Sequence, residues 1–474
     1  MKKNKSASLT RRSFMHLAGL AALFAGGYRN VRASIKPHSP ELFSDWDKLL
    51  EEVKEYPLLD ALYSRRSRRF GWGMEIPHGP LKYKSQLPPT SLDPFERSMI
   101  VAAGLGISGW HHGIPHTTKQ PGLCNYASRY TGRTFPSAAG IGNADMFYTQ
   151  DDGTYFVTTR VPTDGQNWAE TKMSAAEKLI QTIESHTQKI SDERIDPPRE
   201  APHYSAHNFW NANVAGSTLF IPVGNVSEQM LAFLFIVAGS GYTVLDENNS
   251  SLKTKLKPFV DSGLISAKRK YPLSYMEQYV LTTCAVEMGT MGHNMSLSLQ
   301  PLGLGGWFFS GVSPFSVMGA ASNQGVPGLG FDFQKNKEWA IPNPIGLKGV
   351  YQSWSPPHYD DMHQAVAAYI ELKFGSGGAY DPSSDGPFKD NQGTKSMASR
   401  PSIELIDCVG TIAQHIYDSY GKFPGTVPSI FVRYYTQAHR LETGFYDRFF
   451  KNGSYLSTHS RNVKRWLSKL ALRS

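Results

Sequence analysis

The chain of 474 residues has only three cysteines, Cys124, Cys284 and Cys408, and no CxxC pair. That excludes zinc ribbons, thioredoxin-like exchange and c-type haem attachment, and it leaves at least one thiol without a disulfide partner. No GxGxxG follows a strand pattern and no GxxxxGK occurs, so the usual dinucleotide turn and the P-loop are both missing. No apolar run reaches the roughly 20 residues that a bilayer span requires. There is no internal repeat. Acidic residues are absent from the first 40 positions.

That last absence accounts for the charge. The formal net charge is +9, and residues 1–40 carry Lys2, Lys3, Lys5, Arg11, Arg12, Arg29, Arg32 and Lys36, so 9 − 8 leaves +1 for the remainder. Nucleic acid is therefore not the expected partner. With 40% hydrophobic, 12% aromatic and 19% charged residues the chain is globular, and its length suits one large domain with insertions or two to three smaller ones.

The basic start, KKNKSASLT, is followed by Arg11-Arg12-Ser13-Phe14 and a short Gly/Ala-rich apolar run over 14–27. It resembles a twin-arginine export signal, an address for proteins that cross the membrane already folded, often with a cofactor inserted beforehand. The expectation is a signal peptide over 1–33, passage through the twin-arginine translocase, a periplasmic or other extracytoplasmic location, and no stable membrane span.

Spacing predicts helix over 40–63 with a break at Pro57, and helix again over 94–107 with Asp93 as its cap. A hairpin is expected around the acidic turn Asp151-Asp152-Gly153. An amphipathic helix over 170–189 and a polar linker over 191–203 follow. The longest helical pattern runs from 275 to 299 and stops at Pro301-Leu302-Gly303-Leu304-Gly305-Gly306. A buried strand over 307–312, helices over 360–374 and 401–420, and a polar Gly/Ser/Asp loop over 375–400 complete the pattern.

The segment SRRSRRF, 64–70, sets four arginines around one serine. Guanidinium groups so close repel one another, and an anion relieves that repulsion; arginine forks and a serine hydroxyl suit phosphate oxygens. A solvated basic loop is the alternative.

In chain order, SRRSRRF, then RTFPSAAG (133–140) with its hairpin, then a long helix running into LGLGGWFFSG (302–311) resemble the flavin-dependent nitroreductase family, in its azoline-dehydrogenase-like branch. The resemblance spans about 58–312. It implies an α+β fold with a mixed, mainly antiparallel sheet flanked by helices, in a flavin domain over 40–374 with an insertion near 165–270. The rest, 375–474, is expected as a loop and a helical C-terminal extension. It also implies FMN as cofactor, with Arg65, Arg66, Ser67 and Arg69 at the phosphate and Arg68 pointing elsewhere. Pro136, Ser137 and Ala138 would lie against the ring, and Gly303, Leu304, Gly305 and Gly306 would let the backbone approach it. Arg433 and Arg440 are the available cations for closing the phosphate site. Family members are usually homodimers with FMN at the subunit interface, and the flavin itself carries the redox chemistry in a ping-pong scheme on a small organic substrate. No catalytic side chain is therefore singled out.

Trp110, His111 and His112 are candidates for lining a substrate pocket. They and His116 could in principle join His358, Asp360, Asp361 and His363, yet nothing links the two segments and no metal is expected. His203 and His207 are expected to be exposed in their linker. The rival reading, from another functional class, is a non-catalytic exported ligand- or metal-binding protein on a degenerate nitroreductase fold.

Overall fold

The computed structural model describes residues 40–113, 125, 127, 128, 130–160 and 172–471. The expected export signal, Cys124 and His116 lie outside these residues.

Helices α1 (Pro40–Glu55) and α2 (Leu58–Ser64) are split at Pro57, as the spacing predicts. A small ribbon of β1 (Glu75–Ile76) and β2 (Tyr83–Lys84) leads to α3 (Pro94–Leu105). A full capping box starts α3: the Asp93 side chain accepts from the Glu96 N–H at 2.8 Å, and the Glu96 carboxylate accepts from the Asp93 N–H at 3.0 Å. Strands β3 (Ile107–Trp110) and β4 (Thr131–Arg133) pair antiparallel. Next come the hairpin of β5 (Ala144–Gln150) and β6 (Gly153–Val157), then α4 (Ala175–Ser185), β7 (Thr187–Ser191) and β8 (Thr218–Asn225). Helix α4 is shorter than its amphipathic pattern because 187–191 joins the sheet against β6.

A surface unit follows, made of α5 (Val226–Gly239), β9 (Tyr242–Leu245), α6 (Ser251–Lys255), α7 (Lys257–Asp261) and β10 (Ser266–Pro272). Helix α8 (Leu273–Leu302) then runs 30 residues into β11 (Gly305–Phe309). The remainder comprises α9 (Pro314–Met318), β12 (Asp332–Gln334), β13 (Asn343–Leu347), β14 (Tyr351–Gln352), α10 (Met362–Phe374), α11 (Asn391–Ser396), α12 (Ile403–Tyr420), β15 (Ile430–Phe431), β16 (Tyr435–His439), α13 (Thr443–Phe449) and α14 (Ser457–Ala471).

The fold is α+β, with a seven-stranded antiparallel sheet in the order β11-β16-β8-β5-β6-β7 and β15 also on β8. Alternation gives the sheet two buried faces. Met146, Tyr148, Phe220 and Ala438 pack under α3, α4 and α8, while Phe147, Leu219, Ile221, Trp307 and Tyr435 pack beneath residues of 312–351. A third core joins α5, the first half of α8, α10 and α12. Among the described residues, only β9 and β10 pair in parallel.

Two segments set apart in the sequence reading both contribute strands to the central sheet. The stretch near 165–270 supplies β8, a central strand, and the C-terminal segment returns β16 between β11 and β8. Neither is an appendage. The polar loop 375–400 is ordered around Lys395, whose buried ammonium donates to the Ser384 and Asp385 carbonyls at 2.8 Å and to the Ser384 hydroxyl at 2.7 Å.

Candidate functional site

Helix α8 contains no Lys, Arg or Asp, and its only acids, Glu277 and Glu287, are both buried. Two features flank it. At its C-terminal end, Arg68 and Gly306 form an antiparallel bridge, with Gly306 N–H donating to Arg68 O at 2.9 Å and Arg68 N–H to Gly306 O at 3.2 Å. The arginine turn and the glycine turn, far apart in sequence, are thus hydrogen-bonded to each other. Arg68 is the buried member of its run: its guanidinium donates to Gln300 Oε1 and to the Ser454 carbonyl, each at 2.9 Å. Arg65, Arg66 and Ser67 stay exposed, Arg66 bonding only the Tyr63 and Arg65 carbonyls at 2.8 Å. Arg69 is half-buried, 5.6 Å from the centre of the Trp307 ring.

Gly303, Leu304, Gly305 and Gly306 are all buried. Gly303 ends α8 in the left-handed region at φ +67, and a Cβ on Gly306 would stand 2.1 Å from the Gln437 carbonyl oxygen. The His439 ring fills the space beside Gly305, and burial pulls that imidazole down to about 3, so it is neutral. The chain's own packing leaves no room for a side chain at Gly303, Gly305 or Gly306.

The second feature is the 136–144 loop. Ser137 Oγ donates to the Glu287 carboxylate, which also accepts from the Asn143 and Ala144 N–H groups at 3.1 and 3.0 Å. Ser137 Oγ in turn accepts from the Gly142 N–H at 2.7 Å. Burial outweighs these donors and pushes the Glu287 carboxyl up to about 7. Behind it, Asn143 Nδ2 reaches Gln229 at 2.6 Å and the Cys284 thiol points at Asn143 Oδ1 at 3.6 Å. Arg160 bridges Asp145 at 3.3 Å and Glu228 through both carboxylate oxygens. Pro136 and Ala138 are exposed and Ser137 half-buried. The β3–β4 ribbon brings the His111 ring against Gly140, where an added Cβ would lie 2.6 Å from His111 Nε2. Trp110 is 47% exposed beside it, and His112 is exposed.

Sequence reasoning missed Glu287. The signal was present: a lone acid within a helical pattern otherwise free of formal charge for nine residues on its N-terminal side and fifteen on its C-terminal side. The two features do not meet within one chain. Glu287 and Gln300 are thirteen residues apart on α8 (300 − 287), which is about 20 Å along the axis.

Three sequence expectations change. Arg440 does not close a phosphate site, because it is fully buried in a fork onto Glu96 at 3.0 and 2.8 Å; Arg433 is exposed. His203 is buried, with Nδ1 2.8 Å from Ser316 Oγ, whereas His207 is exposed as expected. The C-terminal extension, expected as a loop and helices, also supplies strand β16 ahead of α13. Among the described residues, no three His, Cys, Asp or Glu side chains gather to hold a metal, and no helix is long and apolar enough to cross a membrane.

No protein-family model and no curated protein matches the chain. Among solved structures, it is similar to a crystal structure of a nitroreductase candidate from Ralstonia eutropha JMP134, at 13% identity and a TM-score of 0.25, over 54% of this chain and 71% of that one.

Proposed function

We propose that the chain is an FMN-dependent oxidoreductase of nitroreductase type, exported folded by the twin-arginine route and working outside the cytoplasm as a homodimer on a small organic substrate. The observation that carries this reading is the Arg68–Gly306 bridge, which fixes the arginine turn while leaving Arg65, Arg66 and Ser67 exposed. No acidic side chain pairs with those three among the described residues. Two guanidinium groups and a hydroxyl without an anionic partner fit a phosphate. Arg65, Arg66 and Ser67 would hold it, with Arg69 anchored on Trp307 beside them. Bound FMN supplies two-electron transfer in two half-reactions, so the chain needs no nucleophile.

The chain's own part is placement. Glu287 fixes the 136–144 loop through three hydrogen bonds, which would offer the backbone N–H groups of Ser137 and Ala138 as donors beside Pro136, which has none. Trp110 and His111 stand next to that loop and offer a planar surface and an imidazole to a substrate. Below about pH 7 Glu287 keeps a proton on its carboxyl. A quinone or a redox protein is the fitting electron partner where nicotinamide cofactors are scarce.

The gap of about 20 Å along α8 supports the homodimer reading. Helix α8 exposes Val286 and His293, and α2 adds exposed Leu58, Leu59, Leu62 and Tyr63. A two-fold axis near the midpoint of 287 and 300, at His293, would carry the arginine turn of one protomer toward the 136–144 loop of its partner. The test is the visible absorption of protein purified from an export-competent host, with release of FMN on denaturation. Colourless protein that yields no FMN and takes none up on reconstitution ends the enzyme reading.

A further inference from the structure

The surface unit between β9 and β10 has a charge unlike the rest of the chain. Its 251–272 stretch, SLKTKLKPFVDSGLISAKRKYP, holds Lys253, Lys255, Lys257, Lys268, Arg269 and Lys270 against a single Asp261, a net of 6 − 1 = +5. Since residues 41–474 sum to +1, everything else in them sums to −4. The folded chain therefore has a positive pole.

Local structure explains why all six cations face outward. Leu252, Leu256, Phe259 and Ile265 supply the buried side of α6, α7 and the turn into β10, and they join the core under α5 and α12. That leaves Lys253, Lys255 and Lys257 on the outer side of the two short helices, all exposed. In β10 the register slips between Ser266 and Lys270, so Ala267, Lys268 and Arg269 bulge from the ladder. Among the described residues, β10 pairs with β9 alone, and no strand covers its other edge. Edge lysines commonly deter strand pairing, but that role cannot apply to the three lysines on the helices.

Two acids at the end of β9 are engaged elsewhere, Asp246 with His415 and Tyr420, both at 2.9 Å, and exposed Glu247 with the Leu273 and Ser274 N–H groups at 3.1 and 3.3 Å. Lys257 meets Asp261 at 2.6 Å, and Lys255 lies 3.7 Å from Asp418. Arg269 stands 5.1 Å from the Tyr242 ring centre. Lys253, Lys268 and Lys270 make no ion pair among the described residues. Beside Lys270 the unit also offers apolar groups: Leu245 is 37% exposed opposite Pro272, and Tyr275 is 57% exposed with its ring 5.8 Å from Tyr271.

We infer that this face docks the protein onto an anionic phospholipid surface, with the six cations over the headgroups and Leu245 and Tyr275 entering the interfacial layer. Clustered basic residues beside a tyrosine suit that environment, where lysine works as a flexible point charge. A nucleic-acid surface would favour arginine forks aimed at phosphates, and five of the six cations are lysines. The inference uses none of the flavin-site residues.

The test is co-sedimentation of the folded protein with vesicles of phosphatidylcholine containing about 30% phosphatidylglycerol, compared with phosphatidylcholine alone. Binding is expected to the mixed vesicles only, to fall at least roughly tenfold in the Lys253→Glu/Lys268→Glu/Lys270→Glu variant, and to disappear at about 0.5 M salt. The variant's far-ultraviolet circular dichroism and thermal transition should match the wild type, because all three side chains are exposed and unpaired. Tyr275→Ala should weaken binding at low salt with no change in the salt slope. Equal binding to neutral vesicles, an unaffected triple-lysine variant, or tight binding to duplex DNA or an acidic protein with none to the mixed vesicles would each overturn the inference.

Discussion

Two arginine clusters in this protein have the same chemistry and opposite surroundings. At Glu96, Arg440 and Arg465 converge on one buried carboxylate, with Arg465 at 2.6 Å and further bonds from Asn462 at 3.0 Å and Trp466 at 3.2 Å. Arg440 lies 3.4 Å from the Trp466 ring centre. The two guanidinium groups hold the Glu96 carboxyl far below the ordinary range despite its burial. Every charge there has a partner within the chain, and the cluster locks the start of α3 to β16 and α14. At the 65–69 turn the guanidiniums of Arg65 and Arg66 have no such acid and face outward. A cation with an internal partner stabilises the fold, whereas one held in place without a partner is available to a ligand.

The largest expected effect comes from removing one side of the buried cluster. Arg440→Ala leaves Glu96 buried with half its compensation, so chemical unfolding should show a loss of about 3–5 kcal/mol. A loss under about 1 kcal/mol would erase the contrast with the surface turn. Arg68→Ala belongs with the buried class, since Gln300 and the Ser454 carbonyl lose their donor; about 1–3 kcal/mol is expected by the same measurement.

The exposed turn should behave in the opposite way. Arg65→Ala/Ser67→Ala is expected to change stability by no more than about 0.5 kcal/mol while lowering FMN retention after gel filtration by at least roughly tenfold, the loss of charge-assisted bonds to one phosphate. Unchanged flavin occupancy would place the phosphate elsewhere.

The pH dependence separates two buried carboxyls. Burial raises Glu287 from 4.5 to about 7 in the folded state, so the folded protein binds that proton more tightly. Its stabilising contribution is complete below about pH 4.5 and is lost as pH rises through about 7; it amounts to at most about 3 kcal/mol. Glu96 has the opposite sign: its folded value lies below 4.5, so its contribution is present above that pH and fades as acid protonates it. Glu287→Gln should flatten the stability profile between about pH 4.5 and 7 and leave the acid limb unchanged. A variant profile with the same slope as the wild type across that window would show that Glu287 does not titrate there.

Much of the local structure was legible because it rests on near-neighbour physics. Pro57 breaks the first helix, Asp93 and Glu96 cap α3, and the acidic Gly153 turn closes the hairpin. The long α8 and its stop at Gly303 also follow from spacing and a left-handed cap. The site was legible only in part. SRRSRRF and the glycine turn were recognised as separate signals, but their mutual bridge spans more than 230 positions and leaves no periodic trace. His203 and Arg440 were misjudged because polar residue type suggests exposure, and burial follows instead from a distant partner, Ser316 in one case and Glu96 in the other.

The sequence alone determined the helix break at Pro57, the cap at Asp93 and the stop at Gly303, the hairpin at Gly153, and that charge concentrates in SRRSRRF. These depend on backbone sterics, capping and side-chain periods within a few residues. The tertiary structure decided that β16 enters the sheet between β11 and β8, that Glu287 governs the 136–144 loop, and that Arg68 faces inward while Arg65, Arg66 and Ser67 face out. Those outcomes depend on which groups meet after long stretches of chain have folded back, where burial makes each polar atom's partner decisive.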